Sequence, residues 1–252
     1  MSVKRGIFVP PFDELVDPKA LADLAATAER RGWDGFFVWD HIAYREPVRA
    51  VADPWVAMAA VACATERIRI GPMVTPLARR RVHKLARETV TLDHLSRGRL
   101  TLGVGLGSDL NAEFERFGEV TGPRERARLL DDGLQRLAAL WDGEFEPPPV
   151  QRPRIPVWAA ARWPNRRPVR RAARWDGLFP IELPGPEALE ELVEDVHRLR
   201  GGTDDPFDFV VEIAPDGTPD PWEAAGATWV LTAFGYTPRR DEVRHAIEAG
   251  PT

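Results

Sequence analysis

With 252 residues, of which 44% are hydrophobic and 29% charged, the chain has the composition of a globular protein with one large core. A formal net charge of −5 argues against a nucleic-acid-binding protein, and no window approaches the roughly 18 apolar residues of a membrane span. The opening stretch MSVKRGIFVPPFDE lacks the apolar centre of a signal peptide, so we expect a cytoplasmic protein. The single cysteine, Cys63, excludes an internal disulfide and is expected to be buried within an apolar helix.

The first elements alternate between short apolar runs and helical patterns. Strands are predicted at residues 6–9 and 35–39, and the helix between them starts after Asp17 and ends at Gly32. A second helix, residues 55–65, is apolar almost all round and includes Trp55, Val56, Met58 and Val61. Because such a helix is normally buried against another element or another subunit, we expect it to form the interface of a homodimer.

The next stretch is typical of a βαβ unit. It contains a β-branched run at residues 68–74, a helical pattern at 83–95 that stops at Gly98, and a second apolar run at 100–105. Two buried strands joined by a helix predict parallel pairing with a right-handed crossover.

The remaining chain continues the alternation to its end. Strands are predicted at residues 155–160, 177–181, 207–213 and 228–232, and helices at 123–141, 164–174, 186–199, 221–225 and 238–249. Eight alternations favour a closed (β/α)₈ TIM barrel over an open doubly wound sheet. We therefore expect one α/β domain that covers residues 1–252.

The sequence Asp40-His41 is the strongest candidate for chemistry. It ends a buried strand, and catalytic residues of α/β barrels lie at the C-terminal ends of strands. A histidine there can transfer protons near neutral pH, tuned by a neighbouring carboxylate, although a structural histidine fits the position equally well. The other histidines lie in predicted helices and are expected on solvated faces: His83, His94, His197 and His245.

Two further strand ends are unusual, and no metal-binding or hydrolase motif is present. The run from Gly103 to Gly107 permits close approach of a ligand to the backbone, or it relieves crowding at the barrel rim. After the next strand, Arg162 precedes a helix whose first N–H groups suit a phosphate. The arginines within that helix are expected on a solvated face: Arg170, Arg171 and Arg174.

Three sequence blocks carry a resemblance to a known family. They are GWDGFFVWDHI, the run from IRIGPMVTP to SRGRLTLGVGLGS, and IPVWAAARWPNRRPVRRAARWDGLFP. Together, and in this order, they resemble the bacterial-luciferase-like superfamily of flavin- and F420-dependent oxidoreductases. The resemblance covers nearly the whole chain.

The resemblance implies a barrel that holds FMN or coenzyme F420 at the C-terminal ends of its strands and transfers a hydride or activates oxygen there. A small-molecule substrate and, for oxygenation, a separate flavin reductase are the implied partners. Asp40 and His41 match the pair beside the cofactor ring in F420-using relatives. The matching cofactor-binding positions are Pro72 and Met73 at a non-prolyl cis peptide, Gly105, Gly107, Ser108 and Asn111 beside the ring, and Ala160, Ala161 and Arg162 on the phosphate side.

The chain also departs from the family pattern. F420-dependent sugar dehydrogenases carry a glutamic acid where this chain has Ser108, and Asp109 is a candidate substitute. Relatives often have glycine in place of Ala161, and the segment after Trp141 is short, which predicts a more open pocket. The leading hypothesis is an FMN- or F420-dependent oxidoreductase, and the alternative is a flavin-binding protein with little or no turnover.

Overall fold

The computed structural model describes residues 3–203 and 205–251, and a parallel sheet forms its centre. The strands are β1 (Lys4–Val9), β2 (Gly35–Val38), β3 (Arg69–Pro72), β4 (Thr75–Pro76), β5 (Leu102–Gly105), β6 (Val157–Arg162), β7 (Gly177–Ile181), β8 (Asp208–Ile213) and β9 (Trp229–Ala233). The sheet is nine-stranded in the order β3-β2-β1-β9-β8-β7-β6-β5-β4. A parallel bridge between Ile70 and Leu100 joins its two ends. The predicted (β/α)₈ barrel is confirmed.

Helices follow the strands around the outside of the barrel. They are α1 (Pro18–Arg30), α2 (Pro54–Ala64), α3 (Val82–Leu95), α4 (Pro123–Ala139), α5 (Arg166–Ala172), α6 (Pro186–Leu199), α7 (Asp220–Ala224) and α8 (Arg240–Ala249). The carboxylate of Asp17 accepts a hydrogen bond from the first turn of α1, and that of Asp53 caps α2 in the same way. Within the described ranges no helix is both long and apolar enough to cross a membrane.

Alternate residues of each strand enter two separate cores. One set packs outward against the helices and includes Val38, Val104 and Val211. The other set fills the lumen of the barrel and includes Phe37, Trp158 and Trp229. Because large aromatic side chains close the lower lumen, a ligand of the lumen is confined to the mouth at the C-terminal ends of the strands.

Several predicted boundaries were wrong in ways that matter for the site. The single strand expected at residues 68–74 is divided into β3 and β4 at Met73 and Val74, whose peptide bond is cis. The basic helix expected at 164–174 begins only at Arg166, because the N–H of Asn165 bonds the carbonyl of Arg162 in a turn. The helix expected at 123–141 leaves α-geometry after Ala139 and continues as a π-turn at Leu140–Glu144.

Cys63 is exposed, which contradicts the expectation of a buried thiol. Helix α2 buries Trp55, Met58 and Val61 within the chain, so Val56, at 62% exposure, and Cys63 face outward. Because α2 is apolar on every side, its sequence has no polar stripe to mark the outer face. Three of the four side chains expected in a dimer interface therefore pack in the core of their own chain.

Arg171 was also wrongly expected on a solvated face. It is buried, and its guanidinium donates to both carboxylate oxygens of Asp131 on α4, at 2.7 and 2.9 Å. Arg170 and Arg174 on the same segment are exposed, as expected. The ion pair fastens α5 to α4, since a buried guanidinium needs a partner for its charge.

Candidate active site at the barrel mouth

The segment after β2 places a histidine at the mouth of the barrel. All four residues of β2 are buried, and Trp39, Asp40 and His41 follow at once. The side chain of Asp40 is fully buried, whereas that of His41 keeps 22% of its surface exposed. The strand therefore presents an accessible imidazole where barrel enzymes hold catalytic groups.

The direct partner of His41 is Glu113, in the loop after β5. The Nδ1 atom of His41 lies 2.7 Å from Oε2 of Glu113, whose residue is 1% exposed. The other oxygen, Oε1, accepts the N–H of Ile42 at 2.8 Å and lies 3.3 Å from Nη1 of Arg79. This carboxylate thus fixes both the imidazole and the backbone beside it.

These contacts decide the charge of Glu113. Burial alone would raise its pKa, but the hydrogen bond and charge of His41, the N–H of Ile42 and the charge of Arg79 together lower the pKa below its usual value. An ionised carboxylate can only accept, so Nδ1 of His41 carries the proton in this pair. The Nε2 atom of His41 is left as the proton acceptor in the neutral ring.

Asp40 has a different set of partners. Its carboxylate accepts from Thr75 Oγ1 at 2.7 Å, from Arg80 Nη2 at 2.7 Å and from Arg79 Nη2 at 3.0 Å. The expected direct role in orienting His41 belongs to Glu113 in this structure. Asp40 and Glu113 are linked through Arg79, whose side chain is 4% exposed and contacts both.

The junction of β3 and β4 forms another part of the mouth. Pro72 ends β3, and the cis peptide that the resemblance placed near Pro72 and Met73 is present between Met73 and Val74. A Cβ atom on Gly105 would meet Cγ2 of Val74 at 2.7 Å, and one on Gly107 would meet the ring of Phe114 at 2.8 Å. The structure shows the crowding at the rim that these glycines relieve, and the approach of a ligand to their backbone stays a prediction.

The loop after β5 carries the remaining residues predicted beside a ring. The hydroxyl of Ser108 accepts the N–H of Leu110 at 3.3 Å. Burial raises the pKa of Tyr44, and the nearby side chain of Asn111 acts in the opposite direction. The ring of Tyr44 in turn lies edge-on to His41, with centroids 4.9 Å apart. The structure therefore brings Asn111 to His41 through Tyr44.

The three residues predicted on the phosphate side divide between two faces of β6. Ala160 belongs to the lumen core, whereas Ala161 packs in the outer core. The methyl group of Ala161 therefore points away from the mouth. Arg162, at the end of β6, is partly exposed and forms an ion pair with Glu182.

The mouth suits a flat, mostly apolar ring with hydrogen-bond acceptors. Phe8 lies 5.8 Å from Trp39 and 5.9 Å from Phe179 between ring centroids, so aromatic faces form its floor. The Nε1 atom of Trp39 is buried without a hydrogen-bond partner among the described residues. An N–H donor without a partner, set among aromatic rings, suits the apolar ring of a flavin or deazaflavin, which carries hydrogen-bond acceptors. A separate cavity of about 610 Å³ is lined by Ile42, Tyr44 and Phe117, and His41 is not among its lining residues.

The sequence did not single out Glu113 or Arg79. Both are common surface residue types, and each meets His41 or Asp40 only after the barrel closes. Position gave a partial signal, since Glu113 lies in the same loop as Ser108 and Asn111. The four other histidines are exposed, as expected: His83, His94, His197 and His245.

Comparison with known proteins places this geometry in a family. Residues 4–245 match the family model described as luciferase-like monooxygenase. An F420-dependent glucose-6-phosphate dehydrogenase of Segniliparus rotundus is 30% identical over an alignment length of 242, and the match covers 85% of this chain and 70% of that protein.

Two solved structures share the fold at low sequence identity. An F420-dependent secondary alcohol dehydrogenase, in complex with an F420-acetone adduct, has a TM-score of 0.80 at 17% identity and covers 98% of this chain and 97% of its own. The oxygenating constituent of 3,6-diketocamphane monooxygenase of Pseudomonas putida, in complex with FMN, has a TM-score of 0.72 at 17% identity, with 85% and 67% covered.

Proposed function

Because the chain belongs to the luciferase-like monooxygenase family, we propose that it is an oxidoreductase that transfers a hydride between bound F420 and a small alcohol or carbonyl substrate. The observation that carries this proposal is the hydrogen-bonded pair of His41 and Glu113 at the mouth of the barrel. The F420-dependent relative and the F420-dependent structural neighbour support the choice of cofactor. FMN is the second candidate, supported by the FMN-bound neighbour.

The pair is suited to general acid–base catalysis. When bound, the cofactor supplies the ring carbon that exchanges the hydride. In alcohol oxidation, Nε2 of His41 accepts the hydroxyl proton as the hydride leaves the adjacent carbon. The ionised Glu113 stabilises the resulting imidazolium, and the ion pairs through Arg79 hold that carboxylate in place.

The predicted binding residues are assigned to three parts of the cofactor site. Pro72 and Met73 form the wall behind the ring, and the loop from Gly105 through Gly107 and Ser108 to Asn111 forms its edge. Ala160 and Arg162, with the backbone of Ala161 between them, form the phosphate side. Asp40 is a positioning residue that anchors Arg79 and Arg80.

The test is direct binding followed by turnover. Titration of the protein with F420 and, separately, with FMN should give saturable changes in fluorescence and absorbance for the true cofactor. Turnover is then assayed with glucose 6-phosphate and propan-2-ol, the latter because acetone is its oxidation product. Failure to bind either cofactor would refute the proposal, and tight binding without turnover of any alcohol or carbonyl compound would favour the alternative of a non-catalytic flavin-binding protein.

A further inference from the structure

A further carboxyl group, that of Glu212, reaches the mouth of the barrel from β8. Along that strand Val210 belongs to the lumen core and Val211 to the outer core. Since successive side chains of a strand point to opposite faces, Glu212 lies on the lumen side, directly above Val210. It is exposed, so it lies above the closed aromatic part of the lumen.

The surroundings of Glu212 are apolar. It is in register with Leu231 of β9, which belongs to the lumen core, and continuation of the β7–β8 register places it beside Ile181. Within residues 3–203 and 205–251 no hydrogen bond or ion pair involves its carboxyl group. Two charged residues at the ends of β6 and β7, Arg162 and Glu182, are paired with each other.

Desolvation raises the pKa of the Glu212 carboxyl group, and no neighbouring charge offsets this effect. The residue is exposed on its upper side, and the apolar side chains beside it, Val210 and Leu231, account for the desolvation. A carboxyl group with a raised pKa holds its proton closer to neutral pH, as a general acid requires.

The other carboxylates that the described residues bring to the mouth are already engaged. Asp40 is bonded to Arg79 and Arg80, and Glu113 is bonded to His41. Asp109, considered from the sequence as a substitute for the acid missing at position 108, accepts the N–H of Phe114 at 2.8 Å. Glu212 is the lumen-facing carboxyl group without such a partner.

Resting on the proposed function, we infer that Glu212 is the second proton-transfer group of this active site and donates a proton to the bound cofactor ring. The chemistry needs two such groups. Alcohol oxidation breaks a C–H bond, whose hydride passes to a ring carbon, and an O–H bond, whose proton passes to His41, while the C=O bond forms. Reduction of the ring also requires one proton at a ring nitrogen, which the carboxyl O–H of Glu212 supplies. Solvent reprotonates Glu212, and His41 returns its proton to solvent.

The first test needs no substrate. NMR of glutamate carboxyl carbons in isotope-labelled protein should contain one signal that titrates above the usual glutamate range and that Glu212→Gln removes. Addition of F420 or FMN should shift this signal, because the carboxyl group contacts the bound molecule. The inference would be overturned if the Glu212 signal titrates in the ordinary range and its chemical shift does not change when a cofactor binds.

The second test is kinetic and uses F420 with glucose 6-phosphate or propan-2-ol. Glu212→Gln should lower turnover about 100-fold or more while cofactor affinity stays within about threefold. In the wild type, cofactor-reducing activity should fall as pH rises through the pKa of Glu212. This fall should be absent from Glu212→Gln. Asp216→Asn, an exposed change in the loop after the same strand, should alter nothing. Wild-type turnover in Glu212→Gln would overturn the role of Glu212 alone, whereas a wild-type protein that binds neither cofactor would overturn the proposed function as well.

Discussion

Glu113 lies 72 residues after His41 in the chain, yet its carboxylate accepts a hydrogen bond from the imidazole at 2.7 Å. The loop after β5 supplies the carboxylate and the segment after β2 supplies the ring. The barrel joins them at one rim, because parallel strands present all their C-terminal ends on the same side. The pairing fixes which nitrogen of His41 is free to react.

Removal of the imidazole should abolish the proton transfer and spare cofactor binding. We expect His41→Ala to reduce turnover by about 10²–10⁴-fold, the usual contribution of a general acid–base group. Affinity for the cofactor should stay within a few-fold, since the ring wall and phosphate side are untouched. Steady-state kinetics and fluorescence titration measure the two effects. His197→Ala, at an exposed position of α6, is the control, and full turnover in His41→Ala would contradict the assignment.

Loss of the charge on Glu113 should slow catalysis without weakening substrate binding. A hydrogen bond to a charged group contributes about 1.5–3 kcal/mol, so Glu113→Gln should lower kcat by about 10–100-fold with little change in KM. The matched control is Glu115→Gln, an exposed change in the same loop. Equal kcat values for the two variants would show that the pair is only structural.

The barrel itself was predictable because its signals are local and repeated. Apolar runs separated by helical patterns recur along the chain, and aspartates precede α1 and α2 where a cap is needed. His41 was predictable for the same reason, since the end of a buried strand is a local feature.

The partners of His41, and the position of Glu212, could be found only in the closed structure. The register of the strands and the course of the loops bring Glu113 and Arg79 to the site. The spacing of residues along the sequence does not encode either. The lumen position of Glu212 depends on which alternate residues of β8 face inward, and the apolar run predicted at residues 207–213 does not fix this. Cys63 was misplaced because an all-apolar helix gives no information on which side faces solvent.

The lowered pKa of Glu113 predicts a pH-dependent contribution to stability. Since its folded-state pKa lies below the ordinary 4.5, the ionised group contributes stability that is fully present above that value. This contribution is lost as pH falls through the folded-state pKa. Chemical unfolding of wild type and Glu113→Gln across pH should therefore give a free-energy difference that shrinks in acid. A difference independent of pH would contradict the sign of the shift.

Arg162 should bind the phosphate end of the cofactor. A charge-assisted contact of about 1.5–3 kcal/mol predicts that Arg162→Ala weakens cofactor affinity by roughly tenfold. Because the side chain is exposed and paired with Glu182, the lower end of that range applies. Arg170→Ala, which removes an exposed arginine from the adjacent helix, is the control. Equal affinities of the two variants, measured by fluorescence titration, would place the phosphate elsewhere.

The predicted homodimer can now be tested at a defined surface. On α2 the residues left facing outward, Val56 and Cys63, lie seven positions apart on one helical face, with the partly buried Ala60 between them. If this face is the dimer interface, wild-type protein should scatter light as a dimer at micromolar concentration, and the Cys63 thiol should react slowly with a maleimide. Val56→Glu places a charge in the interface and should yield monomers with a fast-reacting thiol. Leu199→Glu, at an exposed position of α6, should leave both measurements unchanged. A wild-type monomer, or a dimer indifferent to Val56→Glu, would remove α2 from the interface.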